Sequence, residues 1–378
     1  MDQSATRRTV LVKIGSGVLA PEGSLDRGVL DLVCAEVARL RGRGDRVVLV
    51  SSGAVACGAG VLGIPGGIAG GAMDLRTSQA AAAIGQPTLV HAYRESLAPH
   101  GIVMAQVLLT ADDIRDRTRY LNARATLGAL LEAGVVPIVN ENDSVLFDEI
   151  RVGDNDTLAA LVGSALRVDH AVLVSVAGGL RDLVRREVIE HVGRVGDALA
   201  HVEDGRSASG TGGMASKLDA VAILLGSGVP VSIVPGPSDD CPDPVTRALD
   251  GGRVGTRFTR ADLDAIPGAR KAWILHGAPV RGRLVVDEGA ARALTERGAS
   301  LLPKGVVGVE GDFAHEAGVE IRPERGGAIA RGLASYGARE IERIMGRGSG
   351  EIEGILGYAH RAEVVHRDHM ALLRKDGA

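Results

Sequence analysis

Aromatic side chains are scarce in this sequence, which has three Phe, four Tyr and one Trp among 378 residues. Hydrophobic residues still make up 45% of the chain, so the core has to be built from Val, Ile, Leu and Ala. Aliphatic cores of this kind are typical of buried parallel strands covered by helices. The length also exceeds what one hydrophobic core usually fills, which favours two domains.

Cysteines are few, and long apolar runs and runs of a single charge sign are absent. Cys34, Cys57 and Cys241 are odd in number and widely spaced, which disfavours a disulfide framework or a zinc site and fits a reducing compartment. The first apolar run is interrupted by Lys13 after four residues, so it predicts neither a signal peptide nor a membrane span. A net charge of −4 without charge runs gives no overall attraction to nucleic acid or membranes. We therefore expect a cytoplasmic protein.

Short apolar runs that end in small or polar residues recur through the first 235 residues. Predicted strands include TVLVKIGSG (9–17), RVVLVSSGA (46–54), IVMAQVLL, VVPIVN, HAVLVSV and VPVSIV. Predicted helices cover the leucine and valine pattern of 25–40, RYLNARATLGALLEAG, 157–166 and about Met214 to Leu225. This alternation predicts an α/β fold, a three-layer α/β/α arrangement around an open, mainly parallel sheet. Ligands of such sheets bind beyond the carboxyl ends of the strands.

Two lysines lie in glycine-rich contexts at such positions. Lys13 precedes Gly15-Ser16-Gly17 at the end of the first strand, and the stretch SASGTGGMASKLDA (207–220) leads into a helix whose first turn carries Lys217. A lysine beside free backbone N–H groups suits a phosphate. The alternatives are a solvated lysine after a glycine turn for the first stretch and a flexible linker for the second. The Walker pattern GxxxxGK[ST] cannot be aligned on the second stretch.

Small and amide-bearing residues follow two other strands. Ser51 to Ala54 lets a carboxylate or phosphate approach the main chain, although this stretch taken alone favours a helix N-cap by serine. VNENDSV (139–145) and VGDNDTLAALV (152–162) supply amides and carboxylates suited to a small zwitterionic ligand. Asx turns and N-caps use the same residues, and calcium is disfavoured because EF-hand spacing is absent. Together these strand ends predict phosphoryl transfer to a small polar acceptor.

Six stretches, in this order, resemble the amino acid kinase family, and in particular its glutamate-phosphorylating members with a C-terminal PUA domain. They are VLVKIGSGVL, VLVSSGAVACG, LNARATLGALLEAGVVPIVNENDSV, VGDNDTLAALV, SGTGGMASKLDA and SLLPKGVVGVEGDF. The resemblance covers nearly the whole chain. It implies ATP-dependent phosphorylation of the side-chain carboxylate of L-glutamate to L-glutamyl 5-phosphate, the first step of proline biosynthesis. It also implies Mg²⁺ held mainly by the ATP phosphates, feedback inhibition by proline, and a homo-oligomer, either a dimer or a tetramer.

The resemblance also implies roles for individual residues. The catalytic set is Lys13, Asp156 and Lys217, where the acid orients both lysines. The implied ATP-binding residues are Lys13, Gly15, Ser175, Val176, Thr211, Gly212, Gly213, Met214, Ala215, Ser216 and Lys217. The implied glutamate-binding residues are Ser52, Gly53, Ala54, Asp143 and Asn155, and no side chain is expected to act as a metal ligand.

One stretch departs from the family pattern. Where these enzymes usually read Thr/Ser-Asp-x-x-Gly-Leu-Tyr, this chain has SVAGGLR at residues 175–181, so the Asp and the Tyr are both missing. The resemblance places this region against the adenine and the ribose of ATP. Two alternatives therefore stand beside the implied activity: a related kinase with another acceptor, and a regulatory or RNA-binding protein with an altered nucleotide loop.

The composition changes after residue 256, where the alternation of strands and helices ends. We predict a kinase domain over 1–259, a linker over 260–272, a small β-rich PUA domain over 273–356 and a C-terminal extension over 357–378. Residues 270–378 contain 17 Lys and Arg against 15 Asp and Glu. Tight RNA binding needs a concentrated basic face, so RNA is not an expected partner, and a regulatory or assembly role is favoured.

Overall fold

The computed structural model describes residues 7–21, 23–64, 73–110, 113–114, 116–145, 155–193, 198, 201, 213–259, 274 and 280–373. The chain divides into two compact units. The first covers Met1–Ile114 and Thr118–Ile266, and the second covers Pro267–Ala378 together with Arg115–Arg117. None of the helices in the described part of the chain is long and apolar enough to cross a membrane.

A mainly parallel sheet forms the centre of the first unit. Within the described ranges its strands are β1 (Thr9–Ile14), β2 (Arg46–Ser51), β3 (Met104–Leu109), β4 (Val136–Glu141), β5 (His170–Val174), β6 (His191–Val192), β7 (Val231–Val234) and β8 (Thr256–Phe258). They are arranged in the order β3-β4-β2-β1-β5-β7-β8-β6. β8 runs antiparallel to β7, while the other neighbouring pairs are parallel. The predicted strand sites are confirmed, and β6 and β8 are additions to them.

Helices cover both faces of this sheet, because alternate residues of β1 belong to different cores. Leu11 packs into one apolar cluster, whereas Val10, Val12 and Ile14 pack into the other. This confirms the predicted three-layer α/β/α architecture. The helices are α1 (Ser16–Leu19), α2 (Arg27–Gly42), α3 (Ala54–Val61), α4 (Leu75–Leu97), α5 (Arg117–Glu132), α6 (Asn155–Leu166), α7 (Met214–Gly226) and α8 (Pro244–Leu249). Buried residues of α5, α6 and α7 share the cluster of Leu11, and those of α2, α4 and α8 share the other.

The hairpin of α3 and α4 was not predicted from the sequence. Both helices are rich in Ala and Gly, and α4 contains Pro87, a residue that normally interrupts a helix. A Cβ on Gly58 would lie 1.8 Å from the carbonyl oxygen of Ala81, and one on Gly85 would lie 1.9 Å from that of Ala54. The two glycines therefore let the helix backbones come into direct contact. Helices packed in this way do not need the stripe of large apolar residues by which surface helices are usually recognised.

A second sheet forms the core of the other unit. Its strands are β9 (Val280–Val286), β10 (Val306–Glu310), β11 (Gly318–Pro323), β12 (Ala330–Leu333) and β13 (Met370–Leu372), in the order β10-β9-β11-β12-β13. The helices are α9 (Glu288–Arg297), α10 (Ala338–Ile344) and α11 (Ile352–Leu356). Glu310, Arg283, Glu320 and Arg331 occupy directly paired positions on four neighbouring strands, and ion pairs of 3.7, 3.3 and 3.1 Å join them in that order.

The domain limits inferred from the sequence need one correction. β13 pairs with β12 through Gly332 and Met370, so part of the predicted extension 357–378 belongs to this sheet. The charged composition of that stretch conceals β13, in which Met370 and Ala371 are buried. The predicted linker, 260–272, lies outside the described residues.

Candidate active site

Three parallel strands end side by side at the predicted site. Ile14 of β1 is paired with Ser51 of β2 on one side and with Val174 of β5 on the other. The chains stay joined just beyond the strands, because Ser52 N donates to Ile14 O (3.1 Å) and Gly15 N donates to Val174 O (3.1 Å). The residues that follow β1, β2 and β5 therefore meet at one edge of the sheet.

A single carboxylate joins the two predicted lysines. Lys13 Nζ lies 2.5 Å from Asp156 Oδ1, and Lys217 Nζ lies 3.1 Å from Asp156 Oδ2. All three side chains are buried, with Lys13 3% exposed, Asp156 0% and Lys217 6%. Two ammonium groups against one carboxylate leave a surplus positive charge in a site that is largely shielded from water. Such a charge is compensated when a phosphoryl group enters.

Two helix N-termini contribute to the same electrostatic field. Asp156 lies in the first turn of α6, and Lys217 lies in the first turn of α7. The first N–H groups of a helix lack intrahelical partners and favour negative charge. Ser216 Oγ donates toward Asp156 Oδ2 (3.2 Å) and lies 3.1 Å from Gly213 O, which ties the start of α7 to the same carboxylate.

The other predicted nucleotide residues lie around this triad. Gly17 and Val176 are close neighbours, since a Cβ on Gly17 would lie 3.3 Å from Val176 Cγ1. Ser175 is buried, while Val176 is 72% exposed. The loops after β1 and β5 thus lie side by side. Gly213 precedes α7, whose first residues are Met214 and Ala215. Thr211 and Gly212 lie outside the described residues.

The segment that departs from the family pattern forms an anchored turn. Gly178 and Gly179 have φ angles of 66° and 144°, which favour glycine. A Cβ on Gly179 would lie 2.9 Å from Thr256 Oγ1. Leu180 N donates to the same hydroxyl (2.7 Å), and the Leu180 side chain is buried. The backbone of SVAGGLR is therefore held by β8, an element that the sequence alone did not predict.

An amide cluster lies on the opposite side of α6. Asn155 Nδ2 donates to Ser52 Oγ (3.0 Å), to Asn140 Oδ1 (3.1 Å) and to the Ser51 carbonyl oxygen (3.2 Å). Asn155 and Asp156 are consecutive, yet their side chains serve different groups: Asn155 contacts the ends of β2 and β4, whereas Asp156 contacts β1 and α7. Gly53, with φ of 107°, turns the chain from β2 into α3 at the buried Ala54.

Asp143 differs from the other predicted acceptor residues. It follows β4 in the 3-10 turn Asp143–Val145, and its carboxylate makes no hydrogen bond or ion pair among the residues that the structure describes. Burial raises the pKa of Asp143 to about 6. A half-buried carboxylate without a protein partner is suited to an ammonium group from a ligand.

Sequence reasoning missed two side chains that support this cluster. Gln86 accepts a hydrogen bond from Asn140 Nδ2 (2.7 Å), and Tyr93 OH lies 2.9 Å from Ser51 Oγ. Both belong to α4, so missing the helix meant missing them. A tyrosine in a chain with so few aromatics was a usable signal, as was Asp74, whose side chain caps α4 by accepting from Thr77 N.

The fold and the site define the class. Two buried lysines bridged by one acid, at the ends of parallel strands and at two helix N-termini, are an arrangement suited to neutralising the charge of a phosphoryl group, as a kinase requires. The amide cluster around Asn155 lies directly beside it, because Asn155 and Asp156 are consecutive residues.

Comparisons with known proteins agree with this class. Residues 8–235 match the model of the amino acid kinase family, and residues 282–356 match that of the PUA domain. The chain is 43% identical over 377 residues to glutamate 5-kinase of Thermus thermophilus, covering 98% of this chain and 99% of that protein. It is 43% identical over 373 residues to glutamate 5-kinase of Trichlorobacter lovleyi, covering 97% of both chains. This chain belongs to the amino acid kinase family and carries a C-terminal PUA domain.

A solved structure shares the fold at much lower identity. The N-acetylglutamate synthase of Neisseria gonorrhoeae superposes with a TM-score of 0.51 and 16% identity. The match covers 68% of this chain and 60% of that chain. At this identity the likeness concerns the fold alone.

Proposed function

We propose that this protein transfers the γ-phosphoryl group of ATP to the side-chain carboxylate of L-glutamate. The products are L-glutamyl 5-phosphate and ADP, and the reaction is the first step of proline biosynthesis. The observation that carries the proposal is the bridge from Lys13 through Asp156 to Lys217, with Asn155 beside it turned toward the amide cluster. The choice of glutamate as the acceptor is supported by the relatives that are named glutamate 5-kinase.

The reaction needs neither a covalent intermediate with the protein nor a general base. The acceptor carboxylate has an ordinary pKa of about 4.3 and is already ionised near neutral pH, so no general base has to remove a proton. One carboxylate oxygen forms a bond to the γ-phosphorus while the bond from that phosphorus to the β–γ bridging oxygen breaks. The electron pair of the broken bond leaves with ADP. Positioning and charge neutralisation therefore account for the catalysis.

Each lysine serves one side of this transfer. We assign Lys13, at the end of β1, to binding the β- and γ-phosphates. We assign Lys217, at the start of α7, to neutralising the negative charge that develops on the leaving ADP. Asp156 holds both ammonium groups in place before ATP binds, which avoids reorganisation during the reaction. Gly15, Ser175, Val176 and the residues that begin α7 are assigned to the nucleotide.

The acceptor is held by the opposite side of α6. We assign the ammonium group of glutamate to Asp143, whose carboxylate has no partner among the described residues. Ser52, Gly53 and Ala54 offer a hydroxyl and main-chain groups to the carboxylates of glutamate, and Asn155 offers its amide oxygen to the ammonium group. This arrangement points the side-chain carboxylate of glutamate toward Lys13 and Lys217.

ATP-dependent kinases require a divalent cation, and we propose Mg²⁺. Within the described residues there is no group of three or more His, Cys, Asp and Glu side chains arranged to hold a metal ion. Asp156 is already engaged by two ammonium groups. The residues present therefore fit an ion that takes its oxygen ligands mainly from the ATP phosphates and water, as Mg²⁺ usually does. Bound there, it would neutralise phosphate charge.

Trapping the acyl phosphate with hydroxylamine tests this function. The purified protein, ATP, Mg²⁺ and L-glutamate should give γ-glutamyl hydroxamate, while aspartate, N-acetylglutamate and a nucleoside monophosphate should give far less product or ADP. Lys217→Met is the matched negative control. Hydroxamate no higher than in this control at saturating substrates contradicts the proposal, and a larger signal with another acceptor reassigns the substrate.

Three further properties are proposals that rest on the family resemblance. Proline should inhibit the reaction in competition with glutamate, which initial rates at several glutamate concentrations will measure. A homo-oligomer, either a dimer or a tetramer, should appear by analytical ultracentrifugation. The proposed place of action is the cytoplasm, where ATP and glutamate are both available.

A further inference from the structure

We propose that Gln86 is a positioning residue of the acceptor site, and that it acts through Asn140 to orient the amide of Asn155. The inference rests on the proposed function, because it takes Asn155 as part of the glutamate site. Gln86 belongs to α4, which contains none of the residues proposed to contact glutamate.

Three amide side chains form a continuous hydrogen-bonded line. Gln86 Oε1 accepts from Asn140 Nδ2 (2.7 Å), and Asn140 Oδ1 accepts from Asn155 Nδ2 (3.1 Å). Asn140 is 1% exposed, so water does not compete for these bonds. Its orientation is fixed at both ends, since Glu141 N also donates to Asn140 Oδ1 (2.9 Å).

This line determines which atom of Asn155 is left for a ligand. Ser51 O, Ser52 Oγ and Asn140 Oδ1 are all acceptors, and they share the two hydrogens of Asn155 Nδ2. Asn155 Oδ1 is buried and has no hydrogen-bond partner among the residues that the structure describes. A buried acceptor without a donor is costly, and a donor from the ligand removes that cost. The amide is thus set to accept from a substrate N–H group.

The position of Gln86 is rigid because of its neighbours. A Cβ on the preceding residue, Gly85, would lie 1.9 Å from Ala54 O, so α4 is in direct backbone contact with the start of α3. Pro87 follows and has no N–H group to donate. Ala54 is itself one of the proposed acceptor residues, so the same part of α4 supports the acceptor site at two points.

Loss of the Gln86 oxygen should affect the acceptor selectively. Without that oxygen, one anchor of the Asn140 amide disappears, and the Asn155 amide is held less firmly with Oδ1 toward the ligand. A rotated Asn155 would present its NH₂ group to the substrate's ammonium, which weakens glutamate binding. Lys13 and Lys217 are held by their ion pairs with Asp156, which do not involve the Gln86 oxygen.

Steady-state kinetics of Gln86→Met test the inference, because Met keeps the length of the side chain without its acceptor. The KM for glutamate should rise about tenfold, the loss expected for one hydrogen bond, with kcat within about threefold and an unchanged KM for ATP. Thr88→Ala, an exposed position on the same helix, is the control and should match the wild type. Equal increases in both KM values indicate a general structural defect and overturn the positioning role.

A double-mutant cycle tests the route through Asn155. Gln86→Met should add almost nothing to the glutamate KM in an Asn155→Ala background, because the group that it orients is already gone. Fully additive effects would show that Gln86 acts elsewhere, and the inference would be wrong.

A measurement that needs no glutamate separates this inference from the proposed function. The side-chain NH₂ resonances of Asn155 can be assigned by nitrogen-15 NMR through their loss in Asn155→Asp. They should shift in Gln86→Met and stay in place in Thr88→Ala. Failure of the wild type to phosphorylate glutamate overturns the function alone. Unshifted Asn155 resonances in Gln86→Met overturn the inference alone.

Discussion

Asp156 Oδ1 lies 2.5 Å from Lys13 Nζ, in a pair whose side chains are 0% and 3% exposed. The second oxygen of the same carboxylate contacts Lys217 Nζ at 3.1 Å. Desolvating three charges is costly, and the pairing of both lysines with the Asp156 carboxylate offsets that cost. Under the proposed function, this arrangement holds both lysines ready for the phosphates of ATP.

Replacement of that acid should affect both stability and turnover. Asp156→Asn leaves two buried ammonium groups without their carboxylate, which we expect to lower the free energy of unfolding by roughly 3–5 kcal/mol. The kcat should fall by a factor on the order of 10²–10³, since the lysines are no longer held toward the phosphates. Urea unfolding followed by circular dichroism and initial rates measure the two effects.

Lys217→Met is the matched comparison for that variant. It removes one ammonium group and leaves Asp156 paired with Lys13. The remaining pair consists of one positive and one negative charge. We expect a comparable loss of kcat with a much smaller change in unfolding free energy. A loss of stability as large as that of Asp156→Asn would contradict the proposed balance of charges.

Glutamate binding should weaken in acid because of Asp143. Burial raises the pKa of Asp143 to about 6, so the carboxylate is ionised above pH 6 and protonated below it. A protonated Asp143 cannot pair with the ammonium group of glutamate. The KM for glutamate should therefore rise about tenfold between pH 7 and pH 5, below which the acceptor's own carboxyl group begins to titrate. Asp143→Asn should show a high KM that varies little over this range.

Stability should also fall in acid through His170, at the start of β5. Burial, helped by Arg257 and Arg8, lowers the pKa of His170 from 6.5 to about 4. The folded protein thus binds fewer protons than the unfolded chain between these values. Stability is lost as the pH falls from 6.5 to about 4, by on the order of 3 kcal/mol. His170→Gln keeps a polar group toward Ser232 and should flatten this part of the pH profile of the unfolding midpoint.

Backbone contact between α3 and α4 makes Gly58 intolerant of a side chain. A Cβ there would lie 1.8 Å from Ala81 O, so Gly58→Ala should destabilise the protein by roughly 1–3 kcal/mol. It should also raise the KM for glutamate, because displacement of α3 moves Ala54. Gly128→Ala in α5 is the control: nothing lies within 4 Å of the added Cβ, and helix propensity should raise stability by about 0.5–1 kcal/mol. In thermal melts, the unfolding midpoint should fall in Gly58→Ala and rise in Gly128→Ala.

Much of the fold could be read from local patterns. Buried strands such as β1 and β5 are continuous runs of aliphatic residues, and helices such as α2 and α7 repeat their apolar residues at helical spacing. These patterns involve residues close together in the chain, so they can be recognised in a single sequence. The α3–α4 hairpin is held by glycine backbone contacts, and β8 and β13 have three residues each, so none of these elements leaves a periodic pattern.

The candidate site divides in the same way. The sequence by itself placed Lys13, Lys217 and the Asn/Asp stretches at or just beyond the carboxyl ends of parallel strands, which meet at one edge of a sheet. The role of Asp156 between the two lysines was implied by the family resemblance. Only the tertiary structure decided that the Asn155 amide donates to Ser51, Ser52 and Asn140, and that Gln86 reaches Asn140 across 54 residues of chain. Hydrogen bonds between amides depend on distances of a few tenths of an ångström between separate elements. Those distances result from how the whole chain packs.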